Sequence, residues 1–130
     1  TVAPTDDPTL SRLTLTTTGD EHKIEQVTKQ LNKLIEVIKV VDLTEGAHVE
    51  RELLLVKVKA TGAARAELKR TADIFRGQIV DVTPTIYTIQ LAGTSAKLDA
   101  FLEALAETSI LEVMRTGVCG IARGEKVLSI

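Results

Sequence analysis

The stretch Asp73-Ile74-Phe75-Arg76-Gly77-Gln78-Ile79-Val80-Asp81-Val82-Thr83-Pro84, continuing Thr85-Ile86-Tyr87-Thr88-Ile89-Gln90-Leu91-Ala92-Gly93 and Thr94-Ser95-Ala96-Lys97-Leu98-Asp99-Ala100-Phe101-Leu102, carries the strongest structural signal in the chain. It reads as the end of a helix, two strands and the start of another helix. Arg76-Gly77 is a helix stop, because glycine tolerates the left-handed conformation that closes a helix. Residues 79–83 and 86–91 are short β-branched runs separated by Thr83-Pro84-Thr85, a turn signal. Gly93 ends the second strand, and Thr94 is a good N-cap for the second helix. The unit is α-β-β-α, the middle of a split βαβ sandwich.

On either side of it the pattern is completed. Residues 53–60 predict a strand with Leu54, Val56 and Val58 on one face and Lys57 and Lys59 on the other. Thr61-Gly62 is a turn, and Ala64, Leu68, Thr71 and Phe75 mark one helix face. Leu98, Phe101, Leu102 and Leu105 mark another, and residues 110–116 form a closing strand. From Leu53 onward the order is β-α-β-β-α-β, a complete ferredoxin-like unit.

The first half is less complete. Thr1-Val2-Ala3-Pro4 looks like the end of a strand, and Thr5-Asp6-Asp7-Pro8 is a turn. Residues 10–18 alternate, with Leu13 and Leu15 opposite Arg12, Thr14 and Thr16; that pattern predicts a half-buried strand paired to residues 1–3. Gly19-Asp20 caps a helix carrying Ile24, Val27, Leu31, Leu34 and Ile35 at helical spacing. Residues 36–43 are apolar and β-branched and read as a strand. Residues 44–52 have no apolar period and read as a polar connection.

The first half also overlays the second. Thr14-Leu15-Thr16 falls on Thr88-Ile89-Gln90, a shift of 74, and Gly19-Asp20 then falls on Gly93-Thr94. Ile24, Val27 and Leu31 fall on Leu98, Phe101 and Leu105, and Val40 on Met114. The overlay implies two copies of one sandwich, the first without its opening strand and helix. That arrangement leads us to expect a fragment, with a mate chain covering the gap as the alternative.

Composition narrows the function classes. The chain has 130 residues, a formal net charge of −2, two Phe, one Tyr and no Trp. Few aromatics and a slightly acidic balance argue against base stacking and general nucleic-acid binding. A single cysteine, Cys119, allows no internal disulfide and favours a reducing cytoplasm. No apolar run approaches the ~20 residues that span a bilayer.

Candidate chemistry is sparse. His22 and His48 have no Cys or carboxylate at ligand spacing and read as surface residues. Asp6-Asp7 could hold a hard cation, but an Asx-type turn is the better reading. Gly117-Val118-Cys119-Gly120 has one thiol and reads as a turn. Lys57, Lys59, Arg65, Lys69 and Arg70, interleaved with Glu67 and Asp73, read as a solvated face. No nucleophile–base pair, phosphate loop or zinc pattern is evident, so we expect no catalytic site and no metal site.

Four segments carry a family resemblance: Thr1-Val2-Ala3-Pro4-Thr5-Asp6-Asp7-Pro8-Thr9-Leu10-Ser11-Arg12, Gly46-Ala47-His48-Val49-Glu50-Arg51-Glu52, Phe75-Arg76-Gly77-Gln78-Ile79-Val80-Asp81-Val82-Thr83, and Gln90-Leu91-Ala92-Gly93-Thr94-Ser95-Ala96-Lys97-Leu98-Asp99-Ala100-Phe101. In this order they resemble the small, regulatory subunits of acetolactate synthase (acetohydroxyacid synthase), over the whole chain. The resemblance implies an α+β fold of two ferredoxin-like sandwiches in tandem. They are a partial N-terminal ACT domain at 1–45, a linker at 46–52 and a C-terminal ACT-like domain at 53–130. It implies a cytoplasmic homodimer that binds the catalytic subunit, raises its activity and confers feedback inhibition by valine in branched-chain amino acid synthesis. Cofactors are implied only for that catalytic partner: thiamine diphosphate, Mg2+ and FAD.

In the family it resembles, the valine site lies between two ACT domains and uses a loop after the first strand, which is absent here. Only its later edge carries over: Thr1, Val2 and Ala3, and more weakly Gln26. Ordinary strand pairing is the competing reading of Thr1–Ala3, and a chain truly starting at Thr1 is not expected to bind valine normally. A stand-alone ACT-type amino-acid sensor acting as a homodimer is the alternative function. An enzyme on this scaffold would need a titratable cluster on one strand face, where the alternation has mostly Thr and Val. An RNA-binding sheet would need strand aromatics.

Overall fold

The computed structural model describes residues 1–34 and 36–128. In chain order the elements are β1 (Val2–Pro4), β2 (Ser11–Leu13), α1 (Glu21–Asn32), a short 3-10 turn (Leu43–Glu45), β3 (His48–Lys59), α2 (Ala64–Ile74), β4 (Gln78–Val82), β5 (Ile86–Gly93), α3 (Ser95–Ala104), β6 (Ile110–Arg115) and β7 (Cys119–Ala122). They divide into two units. One comprises Thr1–Glu50 with Cys119–Ile130, the other Arg51–Val118.

The second unit contains the core. Its strands run in the order β4-β5-β3-β6, every neighbouring pair antiparallel. This is the strand order of a βαββαβ sandwich, as the alternation from Leu53 onward predicts. Leu54, Val56 and Val58 of β3 lie opposite Leu91, Ile89 and Tyr87 of β5. The period of two puts all of these on one face. Leu68 and Ala72 of α2, Leu98 and Phe101 of α3, and Leu105 just beyond it cover that face, all essentially fully buried. The Phe75 and Phe101 rings meet edge to face, 5.2 Å apart. Lys57 points to the opposite face and lies 3.7 Å from Glu112 across the β3–β6 pair.

Local rules set the element ends. Thr94 Oγ1 accepts the backbone N–H of Lys97 at 3.3 Å and caps α3, as its side chain predicts. Thr83 closes the β4–β5 turn, with its Oγ1 accepting from Ile86 N at 2.9 Å. The stop after α2 differs in one detail. Arg76, not Gly77, takes the left-handed conformation, with φ 60°. Gly77 N then donates to Ala72 O at 2.7 Å. Glycine is needed at 77 for space, because a Cβ there would stand 3.1 Å from the Gln90 carbonyl oxygen.

In the first unit, β1 and β2 form an antiparallel ribbon with Val2 opposite Leu13 and Ala3 opposite Arg12. Asp20 caps α1, accepting from Lys23 N at 2.9 Å. β7 pairs with β3, and Arg123 N donates to Ala47 O at 3.0 Å. No described residue of this unit is buried.

Several expectations are corrected. The strand expected over 10–18 is realised only as Ser11–Leu13. Its apolar residues are not half-buried: Leu13 is 54% and Leu15 58% exposed. Residues 36–43 form no strand among the described residues; Ile38 and Val41 are exposed and have no ladder to join. Ile35, the end of the predicted helical stripe, lies outside the described residues. The polar connection at 44–52 is not a loop throughout, since β3 already starts at His48. Alternation was hidden there because both faces of residues 48–51 are polar or exposed. The division between the units, after Glu50, therefore falls inside a strand. Residues 119–128 group with the N-terminal unit.

Candidate functional site

Thr1, Val2 and Ala3 lie together at the start of the chain, and β1 holds Val2 and Ala3 in register with β2. Thr14 N donates to Thr1 O at 2.8 Å. Strand pairing thus uses the backbone of these residues, while the Val2 side chain is 68% exposed. Gln26 lies on the exposed surface of α1, where its Nε2 donates to His22 Nε2 at 3.2 Å. The structure brings Thr1–Ala3 together; it gives Gln26 a different neighbour, one helical turn back.

The turn after β1 is built by Asp7. Its Oδ1 accepts from Thr9 N at 2.9 Å and from Thr9 Oγ1 at 2.7 Å, an Asx-type turn. The Thr9 hydroxyl, with the Thr9 N–H, holds the Asp7 carboxyl below its ordinary pKa. Arg12 Nη2 donates to Gly120 O at 2.8 Å and so fastens β2 to β7. Among the described residues no group of three or more His, Cys, Asp and Glu is placed to hold a metal ion. His48 sits between two acceptors, Gly46 O at 3.2 Å and Glu50 Oε2 at 3.1 Å. The Gly46 carbonyl and then the Glu50 carboxylate raise its pKa.

In the second unit, chemistry-bearing side chains converge where β3 begins, β6 ends and α3 starts. Glu52 is 7% exposed and is the buried charged residue among those described. Its Oε1 accepts from Arg115 Nη2 at 2.6 Å and from Ser95 Oγ at 3.3 Å. Its Oε2 accepts from Gly117 N at 3.0 Å. The other arm of the guanidinium, Nη1, donates to Asp99 at 2.6 Å. The Arg115 hydrogen bond is the main reason the Glu52 pKa is lowered, against the opposing effect of burial. Glu52 and then Asp99 raise that of Arg115. This network is a poor catalyst. Ser95 is bound to a carboxylate, but that carboxylate is already engaged and weakly basic, so it cannot activate the hydroxyl as a general base.

Neither Glu52 nor Arg115 stood out in the sequence. They are 63 residues apart, and Glu52 ends a stretch that reads as polar linker. The five-residue basic group also resolves differently by residue. Lys69 pairs with Asp73 and Arg70 with Glu67 on the exposed face of α2, as a solvated face requires. Arg65 does not belong to it. Its Nη1 donates to the carbonyls of Ala60, Thr83 and Pro84 at 3.0–3.1 Å, and its guanidinium stacks 4.6 Å over Tyr87. It fastens the β4–β5 turn to the start of α2. No helix among the described residues is long and apolar enough to cross a membrane.

Two family profiles match the chain. Residues 51–124 match the family profile described as the small subunit of acetolactate synthase. Residues 1–39 match that of the AHAS small subunit-like ACT domain. The chain is 61% identical over 129 residues to the acetolactate synthase isozyme 3 small subunit of Salmonella typhimurium, covering 98% of this chain and 79% of that one. It is 60% identical, with the same coverage, to the isozyme 3 small subunit of Escherichia coli. The crystal structure of the acetolactate synthase small subunit from Thermotoga maritima superposes with a TM-score of 0.86 at 37% identity, over 97% of this chain and 79% of that one. With family profiles on both parts and relatives of this identity across nearly its whole length, the chain belongs to the acetolactate synthase small-subunit family.

Proposed function

We propose that this chain acts as the regulatory, non-catalytic subunit of acetolactate synthase. In this reading it binds the catalytic subunit, raises its activity and makes that activity responsive to valine. The observation that carries the reading is the 61% identity over 129 residues to a protein named as a small subunit of this enzyme. The fold is read as a tandem of an N-terminal ACT domain and a C-terminal ACT-like domain. Thr1, Val2 and Ala3, with Gln26 on α1, are read as the part of the valine site that this sequence carries. The exposed side chains of Val2, Leu13 and Leu15 support pairing of two N-terminal units in a homodimer. Thiamine diphosphate, Mg2+ and FAD are assigned to the catalytic partner.

Such regulation needs only a difference in affinity. Valine shifts the equilibrium toward the arrangement it binds better, and the catalytic subunit favours another. The coupling required is ~1–3 kcal/mol, about 5- to 150-fold in affinity. The test is acetolactate formation by the cognate catalytic subunit, with and without the full-length regulatory chain, across a valine titration. Activation that valine reverses is the expected result. An unchanged catalytic rate in the presence of a folded, saturating regulatory chain would refute the proposal.

A further inference from the structure

The chain passes between the two units twice, after Glu50 and after Val118. Glu52 and Leu53 stand just inside the first passage; Arg115, Thr116 and Gly117 stand just inside the second. Four hydrogen bonds tie the passages together. Glu52 accepts from Arg115 Nη2 at 2.6 Å and from Gly117 N at 3.0 Å. Thr116 N donates to Leu53 O at 3.1 Å, and Leu53 N donates to Thr116 Oγ1 at 3.1 Å. Two more bonds run from the same group to the first turns of α3. Ser95 Oγ donates to Glu52, and Arg115 Nη1 donates to Asp99 at 2.6 Å.

A charged pair is a poor choice at this place for stability alone. Desolvation offsets much of its attraction, and apolar residues of similar volume often serve as well or better. What the pair supplies is geometry. A guanidinium holds two carboxylates at fixed angles through a rigid fork, and here the two carboxylates belong to different elements, β3 and α3. The network consequently has three members that cannot shift independently: the entry strand, the exit strand and the helix start.

We propose that Glu52, Arg115 and Asp99 are positioning residues that make both inter-unit passages and the start of α3 move as one body. A change of state in the N-terminal unit is thereby delivered to α3 of the C-terminal unit. This rests on the regulatory reading above for the nature of the signal. The mechanical claim, that the passages and α3 are coupled, stands on the bonds themselves.

The experiment separates the two. Asp99→Asn removes the charge from the arm to α3 and weakens its hydrogen bond with Arg115 at an exposed position, and it leaves the buried pair intact, so the fold is retained; Asp99→Glu keeps the charge and serves as rescue. Hydrogen exchange is measured first on the full-length regulatory chain alone. In Asp99→Asn the amides of Leu53, Thr116 and Gly117 exchange about tenfold faster together with those of residues 95–98, while Ile89 and Leu91 are unchanged. Unchanged exchange at Leu53, Thr116 and Gly117 overturns the mechanical claim, whatever the protein regulates. Valine titration of the reconstituted holoenzyme comes second. With valine affinity of the regulatory chain within twofold of wild type by calorimetry, Asp99→Asn raises the half-inhibitory valine concentration at least about fivefold, a loss within the usual range of coupling, and Asp99→Glu restores it. Wild-type inhibition by both variants overturns the signalling role. A holoenzyme with unsubstituted chain that valine does not inhibit refutes the regulatory reading and, with it, the signalling role, leaving the exchange result to decide the mechanical claim.

Discussion

Replacing Glu52 with Ala tests how much the buried network contributes. Removing one partner of a buried pair costs ~3–5 kcal/mol, because the other charge stays behind without its partner. Here Arg115 keeps Asp99, and its side chain is 28% exposed, so water recovers part of the loss. Glu52→Ala also removes one acceptor from Gly117 N, but Gly117 is exposed, so water replaces it at little cost. Together these place Glu52→Ala near the lower end of the pair range, about 3 kcal/mol. Arg115→Ala costs more, about 4 kcal/mol, because it strands a carboxylate only 7% exposed. The double substitution costs less than the sum, with a coupling of about 2 kcal/mol. The sign of the pH effect comes from the lowered Glu52 pKa. Its stabilisation is fully present above the ordinary glutamate value of ~4.3 and is lost as pH falls through the lower folded value. The gap between wild type and Glu52→Ala therefore closes on acidification below pH ~4. The assay is urea unfolding monitored by fluorescence of Tyr87, the only tyrosine in a chain without tryptophan, which reports on the second unit. A cost below about 1 kcal/mol at neutral pH, or a gap that does not change with pH, would show that the ion pair does not hold this corner together.

Phe101 is fully buried against Phe75, so Phe101→Leu lowers stability by about 1 kcal/mol and Phe101→Ala by about 3–5 kcal/mol, measured by the same unfolding curves. His48 titrates above its ordinary value in an NMR pH series, and Glu50→Gln lowers the midpoint. Because the folded pKa is raised, its stabilisation is present below ~6.5 and disappears as pH rises through the folded value. Arg65→Lys keeps the charge but loses the planar guanidinium that stacks on Tyr87 while its Nη1 reaches the three carbonyls. It destabilises by about 1–2 kcal/mol and accelerates amide exchange at Ile86, whereas equal exchange in both proteins would show that Arg65 does not fasten the turn.

What the sequence reveals about the second unit depends on local rules. Leu54, Val56 and Val58 alternate with Leu55, Lys57 and Lys59, and that alternation states which face is buried without knowledge of the partner. Thr94 and Thr83-Pro84 act within three residues of their own position, so their roles are legible too. The Glu52 network is not legible, because its members come from three elements and no spacing connects 52, 95, 99 and 115. Arg65 misleads for a similar reason: its charge suggests solvent, while the carbonyls that occupy it are brought together only by the turn at 83–84. Arg76 adopts the left-handed conformation in place of its glycine neighbour because the demand at 77 is for room beside Gln90, which lies on another strand. For the candidate effector residues, the pairing of Val2 and Ala3 with β2 was readable and the partner of Gln26 was not, since the family resemblance points to a role and not to a hydrogen bond.

The first unit departs from its sequence pattern in a consistent way. Residues 36–43 have the composition of a strand and gain no ladder among the described residues; Leu13 and Leu15 have the alternation of a buried face, yet both stay more than half exposed although Leu13 pairs with Val2 in the β1–β2 ribbon. β-propensity measures fit to a pleated, half-buried surface, so it has no effect without a neighbour to supply that surface. A ribbon of two short strands and one helix cannot supply it. In the second unit the same residue types meet four strands and two helices, and the pattern is obeyed. The difference between the units is therefore one of available partners and not of sequence quality. Exposed aliphatic side chains remain on both units, at Val2, Leu13, Leu15, Ile38 and Val41 in the first and at Ile74, Val80, Val82 and Leu111 in the second, but among the described residues only the second encloses a buried core.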